Sequence, residues 1–531
     1  MVSVRPGRLA LLLWILVALG SIWAAVYHCS VDILPYDDAY ITYRYADRLT
    51  AGSGMTYNDG ERVFGSSSPL HVLWLAGLKS ILPGLGTPLL AVRGNLLFFL
   101  AAVLLAVAAV GRIGGRTAGM AAGALLSVNP FMQSLSGGGM ESFLFVALLL
   151  GALWACAADR FLAAGALAGL SLLARPEGAL VMGAVATAWF FAGRKRPWLF
   201  AALLLGPGLA WTVFATSYYG TPIPQSITAK LAPLYPLPRG YALLTLLTWF
   251  GRWTFIASPS AATLPRDALA LLIVEACAFG VLLSPRFRRA RGWLLPVLLN
   301  AFIVFYALGN PLLFDWYTAP VFALWLPSLL LGSTAIGERI RSGPLRRMRP
   351  HVILPSAVVI LLVGGVAASY GLDAWRGRSP MAAARTATRL RTLAYARAAR
   401  WLNGVAPPSA TLATPEAGAL GYYWHGRVLD ACGLVSPQAL PFLPVPDQQR
   451  EGPMTGAIPE PLIESERPEL VATLAVFARR SILASDRFAR NYRQIHAVPL
   501  VREIWGSKEV LIFQRDGTGA SPGWSRGAAP P

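Results

Sequence analysis

A chain of 531 residues that is 55% hydrophobic and only 14% charged, with a mean hydropathy of +0.53, has too little polar side-chain surface to fold as a set of water-soluble domains. The composition predicts a polytopic α-helical membrane protein. Its formal net charge of +20 argues poorly for nucleic-acid binding, because the basic clusters are short and are separated by apolar runs.

In chain order, Arg5 and Arg8 precede an apolar run from Leu9 to Val26. This reads as an uncleaved first span; a cleaved signal peptide is the competing reading, disfavoured by the length of the run and by the closeness of Asp37 and Asp38. Runs of crossing length follow, giving spans near 8–27, 88–110, 117–134, 142–158, 161–174, 178–192, 197–217, 266–285, 293–309, 317–336 and 351–371. With about 11 transmembrane helices, the loops Arg112 to Arg116, Arg160, Arg194 to Arg196 and Arg286 to Arg291 all fall on one side. The cluster Arg339, Arg341, Arg346, Arg347 and Arg349 joins them, and the positive-inside rule makes that side cytoplasmic. The chain then begins inside and ends outside. This parity requires that 69–83 and 241–257 do not cross, and Trp249, Arg252 and Trp253 suit a helix lying at the interface.

The first outer loop, 28–87, carries most of the chemistry. Of 13 acids before residue 372, six lie in it: Asp32, Asp37, Asp38, Asp47, Asp59 and Glu61. Carboxylates at a bilayer edge are costly to dehydrate and mark ion, proton or substrate handling. Ala39 to Thr50 reads as a helix capped by Asp37 or Asp38 and ended by Gly52 and Gly54, and Ser66-Ser67-Ser68-Pro69 as the start of a second. Further outer segments are polar too: Ser136 to Glu141, Ala174-Arg175-Pro176-Glu177-Gly178, Tyr218 to Gln225 with Lys230, and Asp315-Trp316-Tyr317. These segments are expected to face one water-accessible cavity over the bilayer.

Other classes find little support. Cys29, Cys156, Cys277 and Cys432 have no CxxC spacing, the five histidines form no HExxH, and no GxxxxGK[ST] phosphate loop is present.

The runs DDAYITYRYADRL and YNDGERVFGSSSPL, followed in order by NPFMQSLSGGGMES, LARPEG, YYGTPIPQSITAK and FDWYTAP, resemble the GT-C superfamily of integral-membrane glycosyltransferases that use polyprenyl-phosphate sugars. Among these, the chain looks most like the actinobacterial arabinofuranosyltransferase-like members. The resemblance covers roughly residues 8–371, and PEAGALGYYWHGRVLDACGLVSP is similar to the outer soluble domain of such proteins. It implies a GT-C type fold and transfer of a sugar from a lipid phosphate.

The residues fit that chemistry. Attack of a hydroxyl on an anomeric carbon passes through an oxocarbenium-like state, and a positioned carboxylate can take the proton. Asp37 and Asp38 are the candidate catalytic residues. Neighbours on a helix point about 100° apart, so one of the two is expected to face the sugar. The leaving lipid phosphate needs cations, for which Arg175 and Lys230 are placed. Tyr40, Arg44, Tyr57, Asn58, His71, Glu141, Glu177, Gln225, Trp316 and Tyr317 complete the candidate substrate-binding set.

Each has a plainer reading. The aspartates and Glu141 can also be read as helix caps. Arg175 and Glu177 read as a mutual ion pair, Trp316 and Tyr317 as interfacial belt residues, Lys230 as a snorkelling cation and His71 as a packed side chain. Glu275, midway along an apolar span, reads as neutral or paired inside the bundle. No cofactor is certain, and a divalent metal, Mg2+ or Mn2+, held by Glu141 with an aspartate is an open option.

From residue 372 the composition changes to that of a small α/β extracytoplasmic domain, 372–516, ending in a Gly-, Ser- and Pro-rich tail at 517–531. Arg-rich helical sequence runs from 380 to 403; Ala410 to Ala413, Arg427 to Leu429, Ser481 to Ala484 and Val510 to Gln514 read as strands, and Pro468 to Arg480 as a helix. The expected activity is sugar transfer, with arabinofuranose the leading donor sugar, to a cell-envelope glycan or glycolipid at the outer face of a bacterial plasma membrane. A protein O-mannosyltransferase-like enzyme with a peptide acceptor is the nearest alternative. A transporter or flippase is disfavoured, because polarity gathers on one side and no internal repeat is visible.

Overall fold

The structure, a computed structural model, describes residues 6–30, 33–231, 234–253, 264–341, 350–375 and 386–518. Arg5, Asp32, Arg346, Arg347, Arg349, the end of the 241–257 stretch and the tail beyond residue 518 lie outside these.

The apolar runs fold as helices. In order they are α1 (Pro6–Cys29), α2 (Ala39–Thr50), α3 (Pro69–Ile81), α4 (Thr87–Gly114), α5 (Arg116–Val128), α6 (Pro130–Ser136), α7 (Ser142–Ala157), α8 (Phe161–Ala174), α9 (Gly178–Phe191) and α10 (Pro197–Tyr219). There follow α11 (Gln225–Leu231), α12 (Tyr241–Trp253), α13 (Leu264–Gly280), α14 (Pro285–Arg289), α15 (Leu294–Gly309), α16 (Thr318–Arg341) and α17 (Pro350–Trp375). Among the described residues four helical stretches, Ala10–Cys29, Thr87–Gly114, Pro197–Tyr219 and Asp315–Arg341, are long and apolar enough to cross a membrane, and shorter apolar helices accompany them. The expected spans fall on helices, with two breaks: 117–134 is interrupted because Asn129 accepts a hydrogen bond from the Met132 N–H at 3.0 Å and Pro130 starts the new helix α6, and 266–285 is interrupted where α13 ends at Gly280, a 3-10 turn covers Val281–Leu283 and Pro285 starts α14. The two stretches expected not to cross are helices of 13 residues each.

The chain divides into two compact units. One comprises Met1–Ile33, Val92–Ala210 and Arg239–Ala383, the other Leu34–Ala91, Trp211–Pro238 and Ala384–Pro531. In the first, α1 packs on α5, α8 on α7 and α9, and α16 on α7, α13, α15 and α17. Helices approach closely where small residues allow it: a Cβ on Gly332 of α16 would fall on the Cys277 carbonyl of α13. In the α7–α8 turn Asp159 pairs with Arg194 and Arg291, so three of the basic loops meet at one end of this bundle.

In the second unit α2 packs on α3, and the chain from 386 onward forms α18 (Ala387–Val405), β1 (Thr411–Thr414), α19 (Ala419–Tyr423), β2 (Arg427–Asp430), α20 (Glu460–Glu466), β3 (Leu470–Leu474), α21 (Asp486–Asn491), β4 (Tyr492–Ile504) and β5 (Ser507–Arg515). The sheet order is β2-β1-β3-β5-β4, with β1 parallel to β2 and β3, and β5 antiparallel to β3 and β4. Leu429, Val471, Leu462, Ile482, Phe488 and Phe513 lie in its core. The expected helix over Pro468 to Arg480 is instead β3 followed by a short 3-10 turn, and Ser481 to Ala484 is a turn rather than a strand. A short apolar run such as Leu-Val-Ala-Thr-Leu suits a buried strand or a buried helix equally; the partners Leu412 and Gln514 on either side of Leu470 decide for the strand.

Candidate functional site

Helix α2 starts at Ala39, and both aspartates use their backbone carbonyls to open it: Asp37 accepts from the Tyr40 N–H at 3.0 Å and Asp38 from the Ile41 N–H at 3.2 Å. Asp38 occupies the N-cap position, yet its side chain makes no cap bond. The Asp37 side chain reaches a different segment, where Oδ1 accepts the Ala419 N–H at 2.9 Å. Plain helix capping therefore does not account for either carboxylate.

Around Asp37 the same unit places a second acid. Glu416, three positions before Ala419, receives Arg391 of α18 through Nε at 3.0 Å and Nη2 at 2.7 Å, and the Tyr395 hydroxyl donates to its other oxygen. Asp37 is only 4% exposed. Burial, reinforced by the negative charge of Glu416 and opposed by Arg391, pushes its carboxyl up to about 7. Asp38 is half-buried and is also raised by burial, while the charges of Lys230 and Arg391 pull it back. Burial works against the charge on Arg391, but Glu416 and Asp37 hold it firmly protonated. An acidic pair beside two cations can take a proton from a hydroxyl and balance the charge of a phosphate.

The other first-loop candidates hold this unit together. Arg44, 6% exposed, donates to the carbonyls of Tyr57 (2.7 Å), Trp424 (3.2 Å), Gly426 (3.0 Å) and Gly421, and its guanidinium lies over the Tyr57 ring. The Tyr57 hydroxyl donates to the Ala417 carbonyl. Asn58 pairs with the edge of β2, giving Nδ2 to the Val428 carbonyl at 2.9 Å and accepting the Val428 N–H at 3.0 Å. Glu61 pairs with Arg427. Tyr40 packs against Tyr43, Tyr422 and Tyr423, and His71 is buried on α3. Gln225 donates to the Gly433 carbonyl at 3.1 Å, and Lys230 is exposed on α11.

Glu141, Arg175, Glu177, Trp316 and Tyr317 belong to the other unit, at the end of α7 opposite Asp159. Glu141 is at the N-cap of α7 but makes no side-chain cap bond; it pairs with Arg175 at 3.2 Å, and Arg175 pairs with Glu177 at 3.1 Å. Arg175 also donates to the Trp316 carbonyl at 3.4 Å and lies over the Tyr317 ring, while Tyr306 donates to Glu177 at 3.0 Å. The ion pair read from the spacing of Arg175 and Glu177 is present, now with a third member. Burial works against both charges, yet the two glutamates hold Arg175 above its usual value and Arg175 holds Glu177 below the usual carboxylate range. Among the described residues no group of three or more metal-ligating side chains occurs.

Arg391, Glu416 and Tyr395 were not legible as site residues. Arg391 was one arginine in an Arg-rich helix, and Glu416 one acid in a turn; nothing local distinguishes them.

Residues 382–513 match a protein family described as a domain of unknown function (DUF8728). The chain is 30% identical over 224 residues to a "Terminal beta-(1->2)-arabinofuranosyltransferase" of Mycobacterium tuberculosis, a match that spans 36% of this chain and 34% of that protein's length. ArnT from Cupriavidus metallidurans, in a crystal structure bound to undecaprenyl phosphate, superposes with a TM-score of 0.55 at 14% identity, covering 94% of this chain and 97% of that one. The Archaeoglobus fulgidus oligosaccharyltransferase in its apo form gives 0.52 at 13% identity, covering 88% and 69%. The chain thus shares its fold with ArnT and with the archaeal oligosaccharyltransferase.

Proposed function

We propose that the protein is a glycosyltransferase that moves a sugar, with arabinofuranose the leading donor sugar, from a polyprenyl-phosphate carrier to a glycan or glycolipid of the cell envelope. The observation that carries this reading is the buried Asp37, anchored by the Ala419 N–H and set beside Asp38, Arg391 and Lys230 in a protein of this fold. Asp37 is the base: a carboxyl poised near neutrality and held in one orientation is suited to accept the acceptor hydroxyl's proton. The cations offset the charge on the departing lipid phosphate. Binding of undecaprenyl phosphate by ArnT and the arabinofuranosyltransferase relative support the donor class. In this reading eleven helices cross a bacterial plasma membrane, with the N-terminus inside and the site and C-terminal domain outside, as the grouping of basic loops at Asp159 supports.

The test is sugar transfer by the purified protein from a panel of synthetic polyprenyl-phosphate sugars to glycan, glycolipid and peptide acceptors, with Asp37→Asn and Asp38→Asn alongside. Peptides belong in the panel because one structure of the archaeal oligosaccharyltransferase is tethered with an acceptor peptide. Transfer from the arabinofuranosyl donor, lowered roughly 100- to 10,000-fold in folded Asp37→Asn, is expected. Full activity in that variant overturns the base assignment. Movement of intact donor across a vesicle bilayer without transfer would favour a flippase.

A further inference from the structure

We propose that Glu416 and Arg391 are positioning residues for Asp37, so that the C-terminal domain supplies an arginine-clamped second carboxyl that governs the proton on the first-loop carboxylate. The inference rests on the reading of Asp37 as the base and adds a task for a domain whose family has no assigned function.

Three observations point the same way. Asp37 is tied to the segment carrying Glu416 by the 2.9 Å bond from the Ala419 N–H, and a Cβ on Gly418, between them, would collide with the Asp37 carboxylate and carbonyl. The chain therefore passes so close that only glycine fits. Glu416 is also held from two sides, by the two guanidinium nitrogens of Arg391 and by the Tyr395 hydroxyl, both from α18. A carboxylate this firmly held keeps its charge in place instead of swinging away into water. Finally, Arg391 answers two acids, since its guanidinium is sensed by Glu416 and by Asp37. One cation shared by two carboxylates leaves part of their mutual repulsion uncompensated, and burial then favours the proton on Asp37.

The charged and titratable groups that interact with Asp37 come from each neighbouring element: Asp38 and Tyr40 from the start of α2, Tyr57 from the first loop, Arg391 and Tyr395 from α18, and Glu416 before α19. Glu416 is the strongest like charge among them and Arg391 the strongest opposing one. Removing Glu416's charge should make Asp37 a stronger acid, and removing Arg391's should make it a weaker one.

The experiment is a pH titration of the full-length protein in nanodiscs by difference infrared spectroscopy, following the protonated-carboxyl band that Asp37→Asn removes. It needs no sugar donor, so its failure is separable from failure of the transferase reading. Asp37 should titrate near neutral pH in wild type, about one pH unit or more lower in Glu416→Gln, and higher by a similar amount in Arg391→Gln. Glu416→Asp, which keeps the charge, should return most of the shift. Movement of either folded variant in its stated direction supports the proposal. It is overturned if folded variants titrate as wild type does, and also if both lose the fold, which would assign the pair to structure alone.

Discussion

The carboxylate of Asp37 is held by the backbone N–H of Ala419 at 2.9 Å, across 382 positions of chain. Burial there favours the protonated acid, which has a thermodynamic consequence. Between the ordinary carboxylate value of 3.8 and about 7 the folded protein holds this proton more tightly than the unfolded chain does. The group's contribution to stability is therefore greatest at low pH and is lost as pH rises through about 7. Asp37→Asn, uncharged and able to accept the same N–H, should be more stable than wild type at pH 8, by on the order of 4 kcal/mol. The gap should close below about pH 4, the model-compound range for Asp. Thermal unfolding of both proteins across that range in one detergent measures it.

The same proton sets the rate. If Asp37 must be ionised to act, kcat/KM for transfer should fall tenfold per pH unit on the acid side of about 7. A profile flat from pH 5 to 8, against the roughly 100-fold fall that a single base implies, would remove Asp37 from that role.

Gly418→Ala tests how closely the two segments must approach. The added methyl meets the Asp37 carbonyl and carboxylate, so either the segment or the aspartate must move. Transfer should drop at least 10-fold, since misplacement of about 1 Å can cost 100-fold, while circular dichroism stays that of wild type.

Arg44 satisfies four backbone carbonyls. Arg44→Met leaves them buried without a donor, at about 1–3 kcal/mol for each that finds no other partner. The expected signature is a large fall in Tm and faster proteolysis in the segment 417–426, with a smaller change in donor KM for the molecules that remain folded.

In the other unit Arg175 neutralises two glutamates. Arg175→Gln strands both and should cost about 3–5 kcal/mol, whereas Glu141→Gln still leaves the pair with Glu177 and should cost less. A cation on Glu141 would compete with Arg175 for Oε1, so added Mg2+ or Mn2+ should leave the Tm unchanged. A Mn2+-dependent rise in Tm that Glu141→Gln abolishes would place a divalent metal there.

Much of this was legible locally. The bounds of α2 follow from the turn residues at Gly52 and Gly54 and the aspartates before Ala39, and the apolar runs place α7, α8, α9, α15 and α16, because helix periodicity and hydropathy are properties of neighbouring residues. The acidic first loop, too, stood out from its apolar surroundings without any knowledge of the fold.

The employment of those residues is set by contacts across the folded chain. Arg44 and Asn58 look like ligand-binding groups in the sequence, but several of their donors and acceptors are taken up by carbonyls and an N–H more than 360 positions away. Leu470 to Leu474 became a strand because β1 and β5 flank it, and Glu416 gained its place beside Asp37 only through the passage of Gly418. Proton affinity and hydrogen-bond satisfaction depend on burial and on charges brought together across the chain, and spacing along the sequence carries neither.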